Sequence, residues 1–163
     1  MQIDISPTRR ALMLGTAQAF TAIVLAKTVA ATETLPRMTV TRDPSCGCCG
    51  NWVDHIKSAG FPVDVIQVDD VLPLKARLGV PEALMSCHTA EIGGYVIEGH
   101  IPAEAVKRLL IERPKAIGIA VPGMPVGSPG MEVSGQTPQP YEIVIFSAGK
   151  QHVFARYRGL QQV

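Results

Sequence analysis

Charge of one sign is missing from this sequence: 15 Lys and Arg stand against 14 Asp and Glu, a formal net of +1, with no basic stripe and no lysine-rich tail. A nucleic-acid partner is therefore not expected, because binding phosphate needs a concentrated positive surface. A long unbroken apolar run is missing too. The one extended apolar stretch, residues 11–26, is interrupted by Thr16, Gln18 and Thr21 and falls short of the roughly 20 apolar residues a membrane span needs. Nothing comparable follows it, and no internal repeat is visible. Core material is not lacking: 163 residues at 47% hydrophobic and 18% charged fit one globular domain and exclude a disordered chain. Cysteine is scarce, 4 in the whole chain, yet three of them, Cys46, Cys48 and Cys49, are crowded together.

The beginning of the chain reads as an export signal. Arg9-Arg10 precede the apolar stretch, and small residues follow at Thr28-Val29-Ala30-Ala31, the usual order of charged region, apolar region and cleavage site. Thr8-Arg9-Arg10-Ala11-Leu12-Met13 resembles a twin-arginine signal. Residues 1–31 are thus expected to be removed and residues 32–163 to form the working domain, periplasmic and free of the membrane. Residues 1–31 carry Arg9, Arg10, Lys27 and Asp4, so the exported form stays close to neutral.

Residues 38–42, Met-Thr-Val-Thr-Arg, alternate as a short strand. Asp43-Pro44-Ser45 then offers helix-start chemistry. Cys49, Trp52, Val53, Ile56 and Ala59 recur at helical spacing, with Gly60 at the expected stop. A strand is predicted over 61–68 and a short helix over 73–78. A further strand runs through Cys87 to Ile92, joined by a Gly93-Gly94 turn to a strand at 95–98. Residues 102–112 form an amphipathic helix that buries Ala105, Val106, Leu109 and Leu110. This β-α-β-α-β-β-α order is that of the thioredoxin and glutaredoxin folds, whose redox cysteines occupy the first strand–helix turn. A loop rich in Pro, Gly and Met follows at 121–131, expected to pack onto the domain with Met124 or Met131 facing in. A hairpin at 141–146 and 152–157 closes the chain.

Cys46, Cys48 and Cys49 therefore fall at the mouth of a strand–helix turn, where unpaired N–H groups and the helix dipole favour thiolate over thiol. Three readings stay open: soft thiolates holding Cu(I), with zinc or an iron–sulfur centre as the other metals; dithiol exchange through the Cys46–Cys49 spacing; and structural disulfides, which exported proteins favour. The extra thiol of Cys48 tilts the balance to metal, and Cys87 is expected to supply a fourth sulfur. His88 adjoins Cys87, but strand alternation points the two to opposite faces unless the backbone bulges. Met124 offers a thioether, a good Cu(I) ligand and a poor zinc ligand. His55 lies two helical turns beyond Cys48, roughly 10 Å away and too far for one ion. It is read as a surface residue or one packed on Trp52. His100 is read as structural, a cap for the helix after it, and His152 has no visible partner. Trp52 is expected to shield the site from water.

Asp43-Pro44-Ser45-Cys46-Gly47-Cys48-Cys49-Gly50-Asn51-Trp52, Ser86-Cys87-His88-Thr89-Ala90, and the run from Gly93-Gly94-Tyr95 to His100-Ile101-Pro102 together resemble the CopG-type bacterial metal-binding proteins. Val121-Pro122-Gly123-Met124-Pro125 and Gly127-Ser128-Pro129-Gly130-Met131-Glu132 extend the likeness over nearly the whole mature chain. The resemblance implies a thioredoxin-like fold, an exported location and copper handling. It makes copper ions the cargo, held as Cu(I) singly or in a multinuclear cluster with bridging thiolates. Periplasmic copper efflux or chaperone proteins are then the expected partners, and Cu(I)/Cu(II) conversion a further expectation. A thioredoxin-type oxidoreductase using Cys46 and Cys49 is the alternative.

Overall fold

The computed structural model describes residues 34–163; the predicted export signal lies outside them. Within them the order is β1 (Met38–Arg42), α1 (Gly47–Ser58), β2 (Val63–Gln67), α2 (Leu72–Arg77), β3 (His88–Ile92), β4 (Tyr95–Glu98), α3 (Ala103–Glu112), β5 (Gly118–Ala120), β6 (Pro140–Ser147), β7 (Lys150–Arg158) and β8 (Gln161–Gln162), with a 3-10 turn at Glu82–Leu84. The fold is mixed α/β, and its first seven elements keep the order predicted from sequence. All strands join one sheet in the order β2-β1-β3-β4-β5-β6-β7-β8. The β1–β2 and β4–β5 pairs are parallel and the others antiparallel.

Side chains alternate across the sheet, so its central strands β4, β5 and β6 feed two cores. On one face Val40, Ala90, Ile97 and Ile119 meet Trp52, Val53 and Ile56 of α1 and Val106 and Leu109 of α3. On the other, Val96, Ala120 and Phe146 pack with Val80 and Leu84, which precede β3. Each fully buried side chain of this kind contributes roughly 1.5–3 kcal/mol relative to exposure. The β3–β4 turn is Gly93-Gly94, both at positive φ (57° and 87°), as a tight two-residue hairpin requires.

Two strand boundaries and two short strands differ from expectation. The strand over 61–68 shortens to β2, an edge strand whose Val65 and Ile66 are exposed. The strand expected through Cys87 starts at His88, and Cys87 stands in a bend before it. The closing hairpin exists as β6 and β7, but β5 and β8, of three and two residues, are too short to show a period and were not anticipated.

Candidate metal centre

The chain reaches the centre where β1 gives way to α1. Asp43 Oδ1 accepts hydrogen bonds from the Ser45 amide (2.7 Å) and the Ser45 hydroxyl (2.5 Å), which turns the chain. Neither residue caps the helix: the cap position is Cys46, with no side-chain cap bond, because the Asp43 carboxylate is engaged one turn too early. The Cys46 carbonyl instead accepts from the Arg42 guanidinium and from the Gly50 amide. Cys46 and Cys48 are half-buried and Cys49 is buried.

The four sulfurs of Cys46, Cys48, Cys49 and Cys87 lie within 4.8 Å of one another. Cys46 and Cys49 are joined as a disulfide, and Cys48 and Cys87 are free thiols. Cys48 Sγ is 3.5 Å from Cys46 Sγ and 3.9 Å from Cys87 Sγ. Cys49 Sγ lies 3.8 Å from the Cys87 carbonyl. The late cysteine is therefore brought to the early three, as its sequence position suggested.

A second group shares one of these sulfurs. Cys87 Sγ, one ring nitrogen of His88 and one of His100 also lie within 4.8 Å of one another. Sγ is 3.5 Å from His88 Nδ1 and 3.3 Å from His100 Nε2. Alternation does not separate Cys87 from His88, because Cys87 precedes the strand and its side chain is not bound by the pleat. His88 Nε2 is fully enclosed and has no hydrogen-bond partner among the described residues. An orphaned buried nitrogen is uncommon and marks a place where a ligand contact fits.

His100 is the residue that sequence reasoning misplaced. It caps no helix. Its Nδ1 lies 2.7 Å from the Pro129 carbonyl, which can only accept, so Nδ1 carries the proton and the Nε2 lone pair faces Cys87. That is how metal-binding imidazoles are commonly oriented. The signal was present in the sequence: with Gly93-Gly94 as the turn, the hairpin register pairs Thr89 with Glu98. Extending it outward sets Cys87 opposite His100. The capping role belongs to His55, whose Nε2 accepts from the Ala103 amide at the start of α3 (3.0 Å). His152 is exposed on β7, opposite Ile145.

Burial sets the protonation of the group. It pushes the Cys87 thiol up to about 12, with the neighbouring Cys48 adding to the shift. It pushes His88 down to about 3, the charges of His100 and Lys75 acting in the same direction. Burial also lowers His100, against the pull of the Pro129 carbonyl. Both imidazoles are thus neutral at neutral pH, the form that ligates a metal, while Cys87 must surrender a proton to do so.

Behind the segment 86–88, on the opposite face of the sheet, lies a buried ion pair. Lys75 Nζ donates to Glu98 Oε1 (2.5 Å), Thr89 Oγ1 (2.7 Å) and the His88 carbonyl (3.2 Å). Glu98 Oε1 also accepts from the Ser86 amide (2.6 Å) and hydroxyl (2.7 Å). Lys75 and Glu98 are 2% and 0% exposed. The backbone on both sides of Cys87 is therefore held by charge-assisted bonds.

The loop after β5 packs onto the domain, as expected, and meets α1 at Cys48 and Trp52. Gly130 (φ 82°) lies so close that an added Cβ would come within 2.7 Å of the Trp52 nitrogen and 2.8 Å of the Cys48 carbonyl. Trp52 is fully buried, its Nε1 donating to the Ile101 carbonyl (2.8 Å), and its ring is 4.4 Å from that of His88. Its ring thus packs against His88. Met124 does not face in: it is 51% exposed, because Pro122-Gly123 carries it to the outside of the loop, and Met131 is half-buried.

Comparison with known proteins gives the following. Residues 84–131 match the family described as "Protein of unknown function, DUF411". Two solved structures are similar. "Copper resistance protein copG- Form 1" is 43% identical, covering 77% of this chain and 99% of that one, with a TM-score of 0.71. Form 2 of the same protein is 43% identical over 76% of this chain and 98% of that one, again with a TM-score of 0.71. No curated protein matches.

Proposed function

The chain belongs to the family of the copper resistance protein CopG, and on that premise we propose that it is an exported copper-handling protein that holds Cu(I). The observation carrying this reading is the gathering of four sulfurs within 4.8 Å. Thiolates are soft donors that suit Cu(I), and sulfurs this close can be shared between ions, so a multinuclear cluster with bridging thiolates is the form we favour. The residues fit such cargo on independent grounds: His88 Nδ1 lies 3.5 Å from Cys87 Sγ, and the His100 Nε2 lone pair faces the same sulfur. Cys46, Cys48, Cys49 and Cys87 are assigned as the sulfur ligands, with His88 and His100 as the nitrogen donors. Met124, exposed on the loop, would reach the sulfurs only if the loop moved. Two imidazoles beside thiolates also support Cu(I)/Cu(II) conversion, since Cu(II) prefers nitrogen.

The thioredoxin-like reading of the fold rests on the β-α-β-α-β-β-α order of the first seven elements and on the thiols at the first strand–helix turn. Export rests on the signal in residues 1–31, and among the described residues no helix is long and apolar enough to cross a membrane. Periplasmic efflux or chaperone proteins are the partners such a role calls for.

The test is copper stoichiometry after anaerobic reduction. Cys46→Ser and Cys49→Ser should each lose tight Cu(I) binding while keeping the fold, and unchanged stoichiometry in both would refute the ligand assignment. A second reading, thiol–disulfide exchange, is favoured by the bond between Cys46 and Cys49. It predicts reduction of a model disulfide by the metal-free dithiol at a rate that Cys48→Ser leaves intact.

A further inference from the structure

We propose that the four cysteines form an internal disulfide relay, in which the Cys46–Cys49 bond is passed to Cys48–Cys87. The relay needs no metal; its consequence for copper rests on the reading above. Disulfide exchange proceeds by attack of a thiolate on one sulfur of a disulfide, with the other sulfur leaving. Cys48 Sγ stands 3.5 Å from Cys46 Sγ, a sulfur of the existing bond. In the first step the Cys48 thiolate bonds to Cys46 and the Cys46–Cys49 bond breaks, releasing the electron pair to Cys49. That thiolate forms in the first turn of α1, where backbone N–H groups and the helix dipole stabilise it, and it takes a proton from water.

The Cys46–Cys48 bond spans only one intervening residue at a helix start, so it is strained and transient. Cys87 draws it onward. Its Sγ is 3.9 Å from Cys48 Sγ, and His100 Nε2 stands 3.3 Å from it with its lone pair free, because Nδ1 is committed to Pro129. In the second step Cys87, its proton lost to the alkaline solvent, bonds to Cys48, 3.9 Å away, and Cys46 leaves as a thiolate, which takes a proton back from solvent. One disulfide and two thiols enter, and one disulfide and two thiols leave, so no outside oxidant or reductant is required.

The two oxidised forms differ in what they offer. With Cys46–Cys49 bonded, the free set is Cys48 and Cys87 beside two imidazoles. With Cys48–Cys87 bonded, the free set is the Cys46/Cys49 dithiol at the helix start. All four sulfurs become available only after the protein gains two electrons. The relay therefore lets a reductant that reaches the partly exposed turn, where Cys46 lies, open a Cys48–Cys87 bond without attacking either of its sulfurs.

The experiment uses the full chain, metal-free and oxidised, at low protein concentration. After timed incubation in mildly alkaline buffer it is quenched with acid and N-ethylmaleimide, digested with trypsin and mapped by mass spectrometry. The relay predicts a cross-linked species joining residues 43–57, which hold Cys46, Cys48 and Cys49, to residues 78–107, which hold Cys87. Its fraction should rise to a plateau, and it should be absent in Cys48→Ser. Wild-type protein in which only Cys48 and Cys87 are ever alkylated, and no cross-linked species forms, would overturn the relay. Because copper is absent throughout, that result leaves the copper reading standing, while failure of copper binding leaves the relay standing.

Discussion

Replacing Lys75 with methionine removes the cation from the buried pair while keeping the length of the side chain. Glu98, 0% exposed, then retains the Ser86 and Thr89 donors but loses its one cation partner among the described residues. Leaving one member of a buried ion pair uncompensated typically costs about 3–5 kcal/mol. That is a large part of the roughly 5–15 kcal/mol that holds a domain folded. For a domain of this size the melting temperature should drop on the order of 10 °C. Converting Glu98 to glutamine as well should recover most of the loss, because the unpaired charge is gone while the amide still accepts from Ser86. The assay is denaturant unfolding of the metal-free single and double variants. The local consequence is separate: the His88 carbonyl loses its Lys75 donor, so maleimide should label Cys87 faster in the single variant. A single variant that loses less than about 1 kcal/mol, with unchanged Cys87 labelling, would refute the argument that this pair fixes the segment 86–88.

Other consequences can be checked with equal directness. Burial holds the His55 imidazole below its usual range, against Glu132 and Glu104, and neutral Nε2 accepts from Ala103. Its folded pKa is below the unfolded one, so its contribution is complete above about 6.5 and declines as pH falls through that value toward the folded pKa. His55→Ala should lose about 1 kcal/mol at neutral pH and show less acid sensitivity than wild type in unfolding experiments. Gly130→Ala puts a methyl group against backbone at positive φ and should cost about 1–3 kcal/mol in stability while speeding alkylation of Cys48 beneath the loop. Changing Arg9-Arg10 to lysines should impair export by the twin-arginine route, and N-terminal sequencing of secreted wild type should begin near Ala31 or Thr32; normal export of the variant would refute the route but not secretion.

The readable parts of this protein were those set by local pattern. Met38-Thr39-Val40-Thr41, the helical spacing from Cys49 to Ala59 and the Gly93-Gly94 turn each fix an element without help from the rest of the chain. Cys87 was also legible as the fourth sulfur. Its neighbours were harder, since where a strand begins depends on tertiary pairing. A boundary one residue later frees Cys87 from the pleat, so the alternation that would have kept His88 away from its sulfur no longer applies. His55, not His100, caps the helix after Pro102, because capping depends on how α1 meets the start of α3, a packing relation that no local pattern records. The exposure of Met124 is decided by the path of a loop held through Gly130 and Pro129, which becomes visible only once α1 is in place beneath it.

The central claim is that sulfurs of the first strand–helix turn and Cys87 hold Cu(I) together. X-ray absorption at the copper edge, on protein reduced and loaded without oxygen, tests it most directly. The account predicts a Cu(I) edge and a first shell dominated by sulfur, with the sulfur contribution reduced in both Cys46→Ser and Cys87→Ser. A first shell of nitrogen and oxygen alone, or the same sulfur shell in both variants, would contradict it.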